Sequence, residues 1–441
     1  MPLVSRTIPN LVQGVSQQPE ILRLPSQADE QVNGFSSVVE GLKKRPPSKH
    51  IAKISTSSFA NSFVHTINRD VTERYIISIS AGAIKVFELD GTEKTVVAQT
   101  NAVNYLNATN PKQDYVATTV ADFTFILNKN ISPAFSSTTS PAKVEQAVYT
   151  VTQGVSSASY SLTIDNTVYS TSGSNNGQTI RDALFSAIQS SPPADVTVTE
   201  IGVGSIGITK STGTLNVSSS DGYGNDASQV VKDKVQNFAD LPSPAINNMV
   251  VEVTGDAGNT FDNYYVIFEE FQDGDGVWKE TVAPDIQIEL DSTTLPHALI
   301  RTADGNFRFT QLDGTTYQVS GTDYTTPKYG QRVAGDEESA LTPSFVGRKL
   351  NDLFFHRNRL GFLSDENVIM SRAGEFFDFF PETVTQLLDT DPIDIASTHT
   401  KVSILRHAIS FDEELLLFSD QTQFIMSLSL IHISEPTRRR G

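Results

Sequence analysis

Short apolar runs broken by tight polar turns recur along the chain, alternating with the period of two that marks half-buried strands. Residues 74–80 (RYIISIS) and 83–89 (AIKVFEL) flank Ala81-Gly82, and Asp90-Gly91 turns the chain again. Residues 115–120 and 123–128 flank Ala121-Asp122 in the same manner. The unit returns after Pro343, at 352–357 (DLFFHR), 359–363 (RLGFL) and 367–371 (NVIMS), then at 414–418 and 423–426 around Ser419-Asp420. Hairpins repeated without helices suit a sandwich, a barrel or propeller blades, and no fixed repeat period selects among them.

Two stretches depart from this style. Within 145–232, Tyr160, Leu162 and Ile164 alternate in a strand, and Asp165-Asn166 turns it back. The one clear amphipathic helix follows, with Ile180, Ala183, Leu184, Ala187 and Ile188 on one face. Thr179 is its expected N-cap and Pro192-Pro193 its stop. Strands expected at 196–199, 206–209 and 215–217 complete a ββαββ module. Residues 236–340 add expected strands at 249–254, 264–268, 277–281, 286–290 and 307–310. The expected fold is therefore mainly β: one hairpin architecture at 51–140 and 341–426, interrupted by two insertions. These are a ββαββ module with a short helix at 141–235 and a further β-rich module at 236–340.

Residues 1–50 read as an arm. Between Gly14 and Pro47, four prolines (Pro19, Pro25, Pro46, Pro47) fix φ, while Gly14, Gly34 and Gly41 permit positive φ. One short helix is expected between Pro25 and Gly34, capped by Ser26 with Asp29 three residues on. The arm closes on Lys43-Lys44-Arg45. A segment rich in Gln, Asn and Arg makes poor core and suits contact with another surface. Arg23, Gln31, Asn33, Lys43, Lys44 and Arg45 are expected to make that contact, in the same chain or in a neighbour's.

At 441 residues the chain is long enough for about three domains at ~150 residues each. Its formal net charge of −18 argues against a broad basic face gripping nucleic acid, and suits a wall that DNA passes without sticking. With no cysteine, disulfides, thiolate catalysis and Cys-based metal sites are excluded. The N-terminus lacks the apolar region of a secretory signal, and no run approaches ~18 apolar residues, so no stable membrane insertion is expected.

Motifs of known chemistry match weakly. Gly202 to Gly207 spells G-x-G-x-x-G, but strand and turn residues follow it where a helix N-terminus must hold a pyrophosphate. Asp273-Gly-Asp-Gly276 begins like a calcium loop, yet its sixth position is Trp278 and its twelfth Pro284, so a hairpin turn is expected. Asp389, Asp391 and Asp394 form a second acidic cluster, read as a solvated or inter-subunit loop. The seven histidines show no metal spacing. No catalytic, cofactor or metal site is therefore assigned. His356-Arg357-Asn358-Arg359 sits in a hairpin turn, where Arg357 and Arg359 are either solvated or docked on a partner's carboxylates.

Several long blocks carry a family resemblance: 14–47 (GVSQQPEILRLPSQADEQVNGFSSVVEGLKKRPP), FILNKN at 125–130, PHALIRTADGNF at 296–307, 343–372, DPIDIA at 391–396 and FDEELLLFSDQTQFIM at 411–426. In this order they resemble the nozzle proteins (tail tubular protein B) of short-tailed bacteriophages. The resemblance implies a structural virion component of the phage tail, assembled in the host cytoplasm, with an interrupted β-propeller-like core at 51–140 and 341–426 and a β-rich platform or docking module at 236–340; the arm residues Arg23, Gln31, Asn33 and Lys43–Arg45 would then meet the junction of propeller and platform or an adjacent subunit. It implies a six-fold ring of the protein with itself at the distal end of the tail tube, stacked on the tail adaptor (tail tubular protein A). It also implies contact with tail fibres, a channel for transient non-specific passage of DNA, no cofactor and no enzymatic role. Family members are longer, so this chain is expected to stop partway through the core. Residues 427–441 (SLSLIHISEPTRRRG) do not resemble the family and read as a non-native tail.

Two other classes compete. A tail-associated polysaccharide hydrolase needs two carboxylates about 5–10 Å apart, for which Glu269, Glu270, Asp273 and Asp275 are candidates. A carbohydrate-binding module would use Trp278 and nearby tyrosines.

Overall fold

The structure is a computed structural model, and it describes residues 10–80, 82–255, 263–272, 274–397 and 403–427. The chain divides into two compact units, residues 1–56 and 57–441. The fold is mainly β: the described strands form nine sheets of two to five strands. No described helix is long and apolar enough to cross a membrane.

In the first unit the expected helix after Pro25 is absent. Its capping residues lack an apolar face to bury, and the only helical turn among the described residues of the arm is a 3-10 turn at Glu20–Leu22, just after Pro19. Instead Gly34–Ser37 and Gly41–Lys44 pair as an antiparallel hairpin. The residue expected to end a helix, Gly34, starts a strand, and Asn33 before it takes the left-handed conformation (φ 55°). Gly41 is held at φ 75°, where a Cβ would run into the Asn10 side chain.

In the second unit, hairpin strands form where the alternation places them. Phe63–Asn68, Arg74–Ser80, Ala83–Glu88 and Glu93–Lys94 make a four-stranded antiparallel meander. Asp352–His356, Arg359–Ser364, Asn367–Met370 and Ile393–Ala396 make another. A five-stranded sheet orders Val96–Ala98, Phe307–Thr310, His297–Arg301, Phe123–Asn128 and Tyr115–Val120. Its strands His297–Arg301 and Phe307–Thr310 come from the stretch assigned by sequence to the 236–340 module, and the first of them pairs directly with Phe123–Asn128.

Period-2 side-chain direction then joins these sheets face to face. Ile126, Leu299, Phe307 and Phe309 pack against Tyr75, Ile77, Ile79 and Val86 of the first meander. From the opposite face of the same five-stranded sheet, Phe125, Leu127, Ala298 and Ile300 pack against Leu353, Phe362 and Ile369. The other face of that second meander, with Phe354, Leu363, Val368 and Met370, packs on Leu415, Leu417, Phe424 and Met426. The last four belong to a three-stranded sheet of Leu405–Phe411, Glu414–Ser419 and Gln423–Ser427. Ser427, placed by sequence in the tail, is thus the end of a strand. The rest of that tail lies outside the described residues.

The inserted module is larger than ββαββ. Glu145–Val151 lies between Ser205–Lys210 and Ser228–Val231 in a four-stranded sheet completed by Val196–Ile201. Ser159–Ile164 lies between Thr167–Ser172 and Val217–Asp221 in a second sheet. The helix Gly177–Ser190 packs Ile180, Leu184 and Ile188 into the core shared by these two sheets. Its N-cap is Asn176, whose side chain accepts from the Gln178 amide, not Thr179. Ala183 is exposed. Of the strands expected in 236–340, 286–290 is absent as a strand; Gln287, Glu289 and Leu290 make only isolated bridges.

Candidate functional site

Most of the residues singled out in the arm are tied to neighbours within the arm. Arg23 spans the turn at Pro25: its guanidinium meets Asp29 at 2.7 Å and donates to the Gln18 carbonyl at 3.1 Å. The Gln31 amide donates to Ser36 Oγ at 2.6 Å. Asn33 is tied twice to Arg45, through its carbonyl to the Arg45 amide (2.9 Å) and through Oδ1 to Nε (2.7 Å). Lys43 pairs with Glu40 and lies over the Phe35 ring, 5.1 Å from its centroid. Lys44 is exposed, opposite Gly34 in the hairpin. A surface groove of about 400 Å³ is lined by Leu11, Val32 and Leu42 and rimmed by Lys43 and Lys44. These contacts brace the arm's corners in place of a core: no apolar side chain of residues 10–56 is buried.

The second candidate cluster separates into two roles. Arg357 and Asn358 form the two-residue turn between Asp352–His356 and Arg359–Ser364, both at positive φ (45° and 59°), as a type I′ hairpin requires. Arg357 reaches Glu413 at 3.4 Å near the surface. Arg359 is buried, and its guanidinium donates to the carbonyls of Ser371 (2.7 Å), Asp391 (2.6 Å) and Asp389 (2.8 Å). Burial lowers its pKa from the ordinary arginine value, and the carbonyls take up its donors.

This contact also explains the acidic loop. Asp391 accepts the Leu388 amide at 2.8 Å, and Asp394 accepts the amide and hydroxyl of Ser344, both at 2.7 Å. Among the described residues no group of three or more His, Asp or Glu side chains is placed to hold a metal ion. Gly202 and Gly204 take positive φ in the turn from Val196–Ile201 to Ser205–Lys210, as the strand pattern around them implies.

Two of the carboxylates weighed for hydrolysis have other partners. Glu269 pairs with Lys279, and Glu270 accepts the Gly274 amide at 2.7 Å. Asp273 lies outside the described residues. Trp278 turns inward, against Phe268 with ring centroids 5.2 Å apart, and donates its indole N–H to the Pro242 carbonyl at 2.9 Å.

Sequence reading passed over the apolar residues that share the arm with its charges. Ile21, Leu22, Val32, Val38 and Val39 all project into solvent. Their signal was available in ILRL and SSVVEG, but apolar residues scattered among prolines and glycines show no helical or strand period.

Comparison with known proteins agrees with the blocks that carried the resemblance. The chain matches the family model of the bacteriophage nozzle protein over residues 1–436, a span that runs into the stretch after Ser427. It is 35% identical, over an alignment of 449 residues, to the tail tubular protein gp12 of Escherichia phage T7. That alignment covers 97% of this chain and 54% of that protein, so the chain spans about half the length of the curated relative it matches. Among solved structures, the extracellular domain of a one-component system from B. thetaiotaomicron aligns at 13% identity and a TM-score of 0.15. It covers 84% of this chain and 51% of that one, and a score that low carries no argument. The chain belongs to the bacteriophage nozzle protein family.

Proposed function

We propose that the chain serves as a structural nozzle subunit of a short-tailed phage. Copies of it form a ring, six to the turn, at the distal end of the tail tube. The ring stacks on the tail adaptor, contributes to tail-fibre attachment and surrounds the path of the DNA during ejection. Family membership across residues 1–436 is the observation that carries this reading. Two physical features support it. Antiparallel sheets packed face to face through alternating side chains make a stiff wall suited to a blade-built ring. A net charge of −18 repels phosphate, so DNA slides past rather than binds. The protein is non-enzymatic in this reading, and its carboxylates serve charge and structure.

Negative-stain electron microscopy of the chain mixed with its cognate tail adaptor tests the proposal. Rings stacked on the adaptor are expected. Particles that remain single chains beside intact adaptor rings would overturn it.

A further inference from the structure

The described part of the arm, residues 10–56, has no interior. Every apolar side chain there is at least partly exposed, with Ile21 and Val39 at 92% and Val38 at 87%. A segment of this size gains almost nothing from the hydrophobic effect by itself, and its internal hydrogen bonds are solvent-facing and individually weak. Its shape is nevertheless well specified by the ties at Arg23, Gln31, Asn33 and Arg45. A braced element with its apolar residues outermost is built to be covered.

Charge indicates what covers it. Seven basic and four acidic residues precede residue 57, so the arm is net positive by 3 in a chain of −18, leaving about −21 on the rest. Lys43 and Arg23 are compensated within the arm, whereas Lys44, Arg45, Lys49 and Lys53 have no carboxylate partner among the described ion pairs. Nucleic acid would satisfy the lysines but not the valines and isoleucine beside them. An acidic protein surface satisfies both.

We propose that the arm docks on the acidic body of a second copy of this chain. Ile21, Leu22, Val32, Val38 and Val39 make the contact, Lys44 and Arg45 steer it, and the polar residues Arg23, Gln31 and Asn33 only hold the arm in shape. This rests on the nozzle reading for its assembly of identical subunits, and adds the element that clasps one subunit to the next.

The absence of cysteine makes a clean test possible. Val39→Cys places a unique thiol on the hairpin tip, where 92% exposure makes the change harmless to folding. The full-length variant is labelled with a maleimide benzophenone, mixed with the tail adaptor, irradiated, and separated on a denaturing gel, and the joined peptides are identified by mass spectrometry. A covalent dimer whose second peptide comes from residues 57–427 of another copy is expected, and it should be lost when Ile21 and Val38 are also changed to Asp. Cross-links confined to one chain, cross-links to the adaptor alone, or none at all would overturn the inference. Rings in the microscope without the cross-linked dimer would leave the nozzle reading standing and remove the clasp. The dimer without rings would do the reverse.

Discussion

His297 stacks on Tyr105 with ring centroids 4.1 Å apart and planes 9° from parallel, inside the core between the first meander and the five-stranded sheet. The imidazole is fully buried, and its Nδ1 lies 2.9 Å from the Leu295 carbonyl. Burial pushes its pKa down to about 4. The unfolded chain, with an ordinary histidine value near ~6.5, therefore binds this proton more readily than the folded one. The contribution is complete above the unfolded value and is lost as pH falls from 6.5 towards 4, about 3 kcal/mol in all. Thermal melts across that window should show a falling midpoint in the wild type and a flatter profile in His297→Phe, which keeps the stack. Equal slopes in the two proteins would show that His297 is not the titrating group.

Arg332 is fully buried between Phe135 and Phe380, its guanidinium 5.6 and 5.2 Å from their ring centroids. It donates to the Gln287 carbonyl at 2.9 Å and Thr342 Oγ at 3.1 Å, and no carboxylate pairs with it among the described residues. Packing and carbonyl acceptors, not charge pairing, hold it. Arg332→Ala should cost about 3 kcal/mol through cavity and orphaned acceptors, while Arg332→Met, which keeps the volume, should cost about 1 kcal/mol. Chemical denaturation of the two variants separates these values. Equal losses would mean the hydrogen bonds dominate.

The two arginines of the HRNR turn should behave oppositely. Arg359 holds the 389–391 loop through the carbonyls of Asp389, Thr390 and Asp391, so Arg359→Ala should lose about 3 kcal/mol and expose that loop to protease. Arg357 pairs with Glu413 at the surface, so Arg357→Ala should change stability by no more than about 0.5 kcal/mol. Limited proteolysis with melting curves checks both. An unstable Arg357 variant beside a stable Arg359 variant would reverse the assignment.

Gly361 sits opposite Phe354 in the second meander, and a Cβ there would come within 2.2 Å of the phenyl ring. Phe354 is buried against Leu363 and Met370, so the ring has no free space to move into. Gly361→Ala should cost about 2 kcal/mol by overpacking, and Gly361→Ala with Phe354→Leu should recover part of it. Additive losses in the double variant would contradict direct contact.

Much of the fold was readable because turn chemistry and alternation coincide. The strands 115–120 and 123–128 lie where the pattern put them, with Ala121 at φ 52° between them. The strand His297–Arg301 escaped notice for a physical reason. It is covered on both faces, so HALI shows no alternation to read. The arm's expected helix failed because Ser26 and Asp29 offered caps to a segment with no apolar stripe, and Asn33 closed onto Arg45 instead. At the candidate site the basic cluster was visible in sequence, but its partners were not. Glu40 and Asp29 look like any surface acids until the hairpin brings Glu40 to Lys43 and the turn brings Asp29 to Arg23. Arg359 shows the same limit, since burial at a turn leaves no mark on the sequence.

The central claim is that this chain is a ring-forming nozzle subunit, and its assembled mass tests that most directly. Native mass spectrometry of the chain with its tail adaptor should give a closed oligomer of identical copies bound to the adaptor. A chain that stays at single-copy mass at every concentration, with adaptor present, would contradict the account.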